Sequence, residues 1–560
     1  MQDRGFSSFI ICCCWAGSPS NFTLMNQNAK PQFLSLAEDL HVYILNFLPY
    51  RDILQCASVC TGLRQTYLSS SELQYIVELG GQQLLPVNLR VDGHTPIADH
   101  LQLLRDKACA WFKFDTRPVQ TVAMPKIFYS DKTFVSNGHL CLCDSIKDQT
   151  GFAKIFPLVP EPSQQAIDRE WSSESLSSLP DSQNIDVLMD PEQNLIAAAY
   201  GIIDGSGVYI DLFALDGDGV HPQAAGATLI MSPELPGRHN MDFDSEDVDS
   251  DSESLIEKNW RLESLGRHIA LWHHEQPLDD PDRVLWWLQI WDWQYSTTSN
   301  CVLSDTVFNT EDSEFDCSID FRFLGNNRLL IVMNDNLKVY SIEDMSQAPQ
   351  LLACFLLPAK MDLIKFFPSI INSNLVHTKR TMWTSDPAHR LLSLIMHPPL
   401  LHFVISTSIF FQLDFFEGMT TEIPWKHWGP SNSRVFEDSD IFGVGVGGSR
   451  VLKAIPIVET AYGDLVECRL HMMDFSPLAV KHRQGLGLVV REPSTVDLEG
   501  ELVTTSLPYV EVVSETKFSP QQTHIRVDKD RIYMIHDATA SAGYSLPQVQ
   551  AEFYPIARGY

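Results

Sequence analysis

Positive charge is what this sequence lacks most: 40 Lys and Arg stand against 71 Asp and Glu in 560 residues, a formal net charge of -31. A protein that neutralises nucleic-acid phosphates needs a basic face, and no basic patch occurs here, so the balance argues against a nucleic-acid partner. Long apolar runs are also missing. The strongest, residues 9–16, has Asp3 cancelling Arg4 ahead of it rather than the positive lead of a signal peptide, and it falls far short of the roughly 20 residues of a membrane span. No membrane segment is expected.

The 12 Cys are scattered without the two-residue gap of a zinc site. The triplet Cys12, Cys13 and Cys14, the pair Cys141 and Cys143, and Cys56 and Cys60 read as small core residues of a reducing compartment, the cytoplasm or nucleus. P-loop, G-x-S-x-G and H-E-x-x-H motifs are absent. Gly443, Gly445 and Gly448 satisfy G-x-G-x-x-G, but residues 449–458 carry Val, Ile and Pro456 and read as a strand, where a dinucleotide site needs a helix N-terminus. Those glycines are expected to permit close packing inside a sheet. His268, His273 and His274 have no Cys or carboxylate at finger-like spacing and read as structural histidines. No catalytic residue, cofactor or metal site is expected.

What is present is 44% hydrophobic residues and 20% charged ones, the balance of a globular chain. Residues 1–32 read as a disordered extension, with Met25 a candidate alternative start. From Leu34 the apolar positions Leu36, Leu40, Ile44, Phe47 and Leu48 recur every three or four residues, which predicts a short helix that Pro49 stops. Asp52 is placed to cap a second helix carrying Ile53, Leu54, Ala57 and Cys60 up to Gly62, and a third runs through Leu63, Tyr67, Leu73 and Ile76. Thr95 and Pro96 open a further helix whose stripe is Ile97, Leu101, Leu104, Ala108 and Trp111.

The string Leu34 to Leu40, then Phe47-Leu48-Pro49, then Asp52-Ile53-Leu54 and Val59-Cys60-Thr61-Gly62-Leu63-Arg64, resembles an F-box of the basidiomycete fungal type. It departs from that pattern at Ala37, where Pro is usual, and in lacking the terminal Trp, with residues 73–76 in its place. An ordinary helical hairpin is the alternative. The resemblance implies docking on the Skp adaptor, and through it on cullin, by Leu36, Leu40, Ile44, Leu45, Leu48, Pro49, Ile53, Leu54, Val59, Cys60 and Leu63, with contacts and internal supports not separable from sequence. Residues 77–114, ending in Ala110-Trp111, correspond to a helical linker that sets distance to a β domain in such proteins.

Residues 163–183 are rich in Ser, Glu and Pro, and residues 242–257 form an acidic segment expected to be a solvated loop, with Ser250 a candidate phosphosite. Over residues 115–560 a unit recurs: an apolar strand, a short turn, a second strand, then a third. The copies are 187–198 with 208–213, 262–272 with 288–293, 321–333 with 337–342, and 382–395 with 409–414, and weaker ones lie near Asp474 and Phe518. Three strands per unit favour a β-propeller of six to eight irregular blades over an array of β-sandwiches. The expected fold is therefore α+β multidomain: an F-box at 33–76, a helical linker at 77–114 and a propeller-like domain at 115–560. The expected role is the substrate receptor of an SCF-type ubiquitin ligase, its target a protein, with a basic one favoured by the charge surplus. A non-ligase scaffold is the alternative, favoured by Ala37 and the missing Trp, and an enzyme on the propeller axis is the remoter one.

Overall fold

The computed structural model describes residues 32–560 except 87–95, 115–119, 124–131, 144–151, 159–165, 180–181, 203–206, 233–259, 276–282, 309–318, 326, 334, 361, 369–382, 398, 417–421, 438–442, 458–466, 483–486, 499, 519–522, 529–530, 537–549 and 556–560. The N-terminal extension, the acidic segment 242–257, Ser250 and Thr95 therefore lie outside the described residues. A 3-10 turn, Gln32–Ser35, leads into helices α1 (Glu38–Leu45), α2 (Tyr50–Val59), α3 (Thr61–Ser69) and α4 (Ser71–Gly81), strand β1 (Leu84–Pro86) and helix α5 (Ile97–Lys113).

Pro49 ends the first turn as expected and, extended at φ -55 and ψ 149, serves as the N-cap of α2. Asp52 lies inside the first turn of α2 and is not its cap. Gly62 is not a breaker either. Cys60 is extended, and its Sγ accepts a bond from the Leu63 amide at 3.5 Å, so α2 ends and α3 starts there. The expected third helix is two helices, because Ser70 turns extended and its Oγ takes the Leu73 amide at 3.3 Å. Helix α4 runs on past Ile76, and the ring of Tyr50 lies where a side chain at Gly80 would fall, 2.3 Å from an added Cβ.

Among the described residues seven sheets of four or five strands follow, antiparallel but for one added strand. Sheet 1 comprises Lys132–Ser136, His139–Cys143, Phe152–Pro157 and Arg169–Ser172; sheet 2 comprises Ser182–Asp190, Leu195–Ile202, Val208–Ala214 and Thr228–Ile230. Sheet 3 is Trp260–Leu265, His268–Glu275, Arg283–Asp292 and Cys301–Phe308; sheet 4 is Asp320–Gly325, Arg328–Val332, Asn336–Ser341 and Gln350–Leu356, with Glu422–Ile423 added in parallel. Sheet 5 is Asp362–Pro368, Leu391–His397, Leu401–Ser406 and Ser433–Glu437; sheet 6 is Val444–Gly447, Arg450–Pro456, Cys468–Asp474, Tyr509–Phe518 and Leu488–Val490. In these six the strands come from one stretch of sequence each, apart from Glu422–Ile423 of sheet 4. The seventh, Thr523–Asp528, Arg531–His536 and Gln550–Pro555, is completed by Gln120–Ala123, so the two ends of the domain pair with each other.

The apolar cores show how the sheets are arranged. Cys141, Ile155, Met189 and Ile196 join sheets 1 and 2; Ile210, Leu271 and Trp291 join 2 and 3; Trp286, Phe321 and Ile331 join 3 and 4. Phe355 and Phe403 join 4 and 5, Ile395 and Val451 join 5 and 6, Met472 and Ile532 join 6 and 7, and Phe156 and Tyr533 join 7 back to 1. The ring closes. Initial strands touch one another around it, as Ser182–Asp190 does Trp260–Leu265 and Val444–Gly447 does Thr523–Asp528, so they are the inner ones. This is a β-propeller within the expected range of blades, six sequential and one that joins the ends.

The expected hairpins at 187–198, 262–272 and 321–333 and their third strands are present, each with a fourth strand beyond. The fourth copy is corrected. Trp383–Ser385 is not the hairpin partner of Leu391–His397, which pairs with Asp362–Pro368; it pairs with β1 instead. Residues 409–414 form no strand, lying in the 3-10 turns Thr407–Phe410 and Leu413–Phe416 and the residues between, with Phe410 packed edge-on against Phe355. Within residues 163–183, Arg169–Ser172 closes sheet 1. The glycine-rich segment is a hairpin, as expected, and an added Cβ on Gly445 would lie 3.1 Å from the Ile525 carbonyl in sheet 7.

The helices are fixed to the propeller at two points. Trp111 of α5 is fully buried in the core between sheets 6 and 7, with the Arg450 guanidinium 4.3 Å from its ring centroid and Arg450 paired to the buried Asp474 at 3.0 Å. β1 pairs with Trp383–Ser385, and the Asp386 amide donates to the Gln83 carbonyl at 3.0 Å. Asp386 also caps the 3-10 turn Pro387–His389. Burial pushes its carboxyl up, but bonds from His389 Nδ1 at 2.7 Å and the Ala388 amide at 2.9 Å outweigh this and leave it below the usual range.

Trp111→Ala is expected to destabilise the chain by about 3–5 kcal/mol, read as a lower thermal midpoint. Asp386→Ala should cost about 1 kcal/mol at neutral pH through the lost cap. Because the folded carboxyl titrates below its ordinary 3.8, that difference is present above this pH and vanishes as the pH falls through the lowered value. Denaturation of both proteins from pH 7 down to pH 3 checks it.

Candidate docking face

The four N-terminal helices sort their apolar residues into an inner and an outer set. Inside, Leu45, Ile53, Ala57, Tyr67 and Leu73 form the core, with Val42, Leu48, Cys56 and Ile76 against it. Outside, Leu36, Leu40, Tyr43, Ile44 and Phe47 recur every three or four residues along α1 and its flanks, and all are exposed; Leu54 and Val59 are the exposed apolar residues of α2. Val59 is 77% exposed and Phe47 72%.

The eleven residues expected from sequence are therefore not one surface. Leu36, Leu40, Ile44, Leu54 and Val59 face outward with Pro49 beside them, whereas Leu45, Ile53 and Leu63 are buried supports. Leu48 is half-buried on the core, and half-buried Cys60 caps α3. Tyr43 and Phe47 were not in the expected set. They stack edge to face at 5.1 Å, and their spacing of four on a helix was the signal available. Leu73 fills the core at the start of the segment that replaces the missing Trp.

Polar bonds hold this face in shape. His41 Nε2 lies 2.8 Å from the Phe33 carbonyl, tying the leading 3-10 turn to α1. Ser69 Oγ donates to Glu38 at 2.8 Å, and Asn46 Nδ2 to Glu72 at 3.1 Å, so α3 and α4 both grip α1. On its other side α4 packs Tyr75 and Leu79 on Leu101 and Leu104 of α5, with Trp383 of the propeller in the same cluster. Arg105 of α5 donates to Gln74 at 3.0 Å and pairs with Glu78 at 3.8 Å, while Gln82 bridges Glu78 and the Leu104 carbonyl. Burial raises Glu78, with Gln82 and Arg105 pulling it back, and burial with the neighbouring Glu78 pushes the Tyr67 hydroxyl up to about 12.

The propeller axis carries charge of another kind. Arg261 bonds Asp320 and Glu263, and Arg322 bonds Glu263, on the inner strands of sheets 3 and 4. Each carboxylate is held by an arginine, an arrangement of structural ion pairs. His402 and Ser393 meet at 2.6 Å in sheet 5, both fully buried. His268 is buried and pushed down to about 4 by burial and Arg267, and His273 lies between Trp260 and Trp287 at 3.8 and 4.1 Å. Among the described residues no group of three or more His, Cys, Asp or Glu is placed to hold a metal, and no helix is long and apolar enough to cross a membrane.

A family model described as the F-box domain matches residues 33–66. No curated protein matches. Among solved structures, the WD40 domain of SCAP from fission yeast is similar at 8% identity, covering 78% of this chain and 98% of that one with a TM-score of 0.31. The uncharacterized protein lmo1340 from Listeria monocytogenes EGD-e is similar at 10% identity, with 76% and 96% covered and a TM-score of 0.34, and Hsv2p of Kluyveromyces lactis at 9%, with 69% and 98% covered and a TM-score of 0.25. Likenesses this distant carry no argument about activity, and the ring of sheets is established by its own pairing and cores. The chain consists of an F-box domain followed by a β-propeller-like domain.

Proposed function

We propose that this chain is the substrate-recognition subunit of an SCF-type E3 ubiquitin ligase, working in the cytoplasm or nucleus. The observation that carries the reading is the outward apolar face of α1 and α2 within the segment matched by the F-box model. Such a face fits a groove on the Skp adaptor, with Leu40, Ile44 and Phe47 as anchors. Catalysis then belongs to other subunits. This chain contributes proximity: it holds a protein substrate on the propeller at a set distance from the ligase, raising the effective concentration of substrate lysines at the transfer site.

The fixed junction supports this role. Helix α4 shares one core with the F-box and another with α5 and Trp383, so it packs the apolar-faced helices onto the propeller. Ala37 occupies the position ahead of α1, extended at φ -64 and ψ 150, a backbone that the usual Pro would also take. The departure therefore leaves the helix start intact.

The intact chain is expected to pull down purified Skp adaptor. The combined variant Leu40→Ala, Ile44→Ala and Phe47→Ala should lose at least thirtyfold in affinity, the scale of about 2 kcal/mol or more for a lost hot spot, while keeping the thermal midpoint of the propeller. Failure of the intact chain to bind would overturn the ligase reading and leave a propeller scaffold.

A further inference from the structure

Outer strands of a propeller carry unpaired backbone donors and acceptors, and this chain covers several of them with its own segments. In sheet 2 the Ile230 amide donates to the Thr297 carbonyl at 3.0 Å. In sheet 4 the strand Glu422–Ile423 lies along Gln350–Leu356. In sheet 5 Ser494 Oγ and Thr505 Oγ1 bond the Val435 carbonyl and amide at 2.7 and 3.0 Å. Sheets 1, 6 and 7 end in strands of four, three and four residues. Sheet 3 differs. Its last strand, Cys301–Phe308, is eight residues long, pairs on its inner side with Arg283–Asp292, and has no strand on its outer side among the described residues.

The side chains of this edge are ordered. Cys301, Leu303 and Val307 anchor it in the core between sheets 3 and 4, and Val302 in that between sheets 2 and 3. Ser304, Asp305 and Phe308 are exposed, with Phe308 62% so at the strand's end. Asp305, near the centre, is half-exposed, with one carboxylate oxygen accepting from the Thr306 amide at 2.8 Å and the other paired with Lys338 at 3.3 Å. Two copies pairing edge to edge about that centre would set Asp305 against Asp305, a like-charge contact that disfavours self-association. A strand with a Lys or Arg opposite Asp305 meets the opposite charge. The surrounding sequence has the same bias, since the chain runs on from Phe308 through Glu311, Asp312, Glu314 and Asp316.

We propose that the Cys301–Phe308 edge accepts an extended, basic segment of a protein partner as an added antiparallel strand. Backbone hydrogen bonds supply the binding, Asp305 selects against acidic segments, and Phe308 offers an apolar contact at one end. The inference deepens the receptor reading, on which it rests, by assigning where the substrate's segment is held.

The test uses the intact chain and a fluorescein-labelled decapeptide of alternating Lys and Val. Saturating probe should slow hydrogen exchange of the 301–308 amides. Asp305→Lys should weaken binding at least tenfold, a decapeptide of alternating Glu and Val should bind the wild type at least tenfold more weakly, and N-methylation of alternate probe residues should abolish binding. Unchanged exchange at 301–308, or binding that survives both Asp305→Lys and N-methylation, overturns the proposal. Skp adaptor pull-down on the Asp305→Lys protein separates the two readings: retained adaptor binding with lost peptide binding supports both, and retained adaptor binding with no probe binding to the wild type removes the edge site alone.

Discussion

A propeller sheet is apolar on both faces, and a single sheet has nothing to put against the second one. Ring closure is what meets that demand here: among the described residues seven cores join seven sheets, and the last sheet takes its outer strand, Gln120–Ala123, from the other end of the domain, paired with Gln550–Pro555. The dependence extends to the helices. Trp111 lies only a few residues before that closing strand and is buried between the last two sheets, so the segment that seals the ring also anchors the linker. Four short helices bury too little to stand firmly alone, and α4 solves this by having two apolar faces, one on the F-box core and one on α5.

Much of this was legible in the sequence where pairing is local. The first hairpins of sheets 2, 3 and 4 combine apolar strands with short turns, and Asn194 and Gly266 adopt the positive φ that such turns need. The fourth strands of sheets 1 and 2 were not legible, because Arg169–Ser172 and Thr228–Ile230 are short and carry little apolar pattern. Trp383–Ser385 was misread for a different reason: its partner, β1, lies some three hundred residues earlier in the chain, and no local signal announces such a pairing. The apolar run at 409–414 looks like a strand because its burial is real, but it is buried in 3-10 turns against Phe355.

The docking face was half legible. Periodicity located the helices and the residue types, yet a stripe of Leu and Ile reads the same whether it faces a core or a partner. The structure separates them, sending Leu45 and Ile53 inward and Leu40, Ile44 and Val59 outward. Two aromatic side chains, Tyr43 and Phe47, complete the outer set; Phe47 lies on the periodic stripe, whereas Tyr43 falls off it. The proposed function rests on an outward apolar face, helices packed on the propeller and, among the described residues, a ring of sheets with one long open edge.

The most direct measurement is hydrogen–deuterium exchange of the intact chain with and without the Skp adaptor. The account predicts slowed exchange in α1 and α2, where the exposed apolar residues lie, with the seven sheets unchanged. Protection that appears on the propeller and spares α1 and α2, or no change anywhere at saturating adaptor, would contradict it.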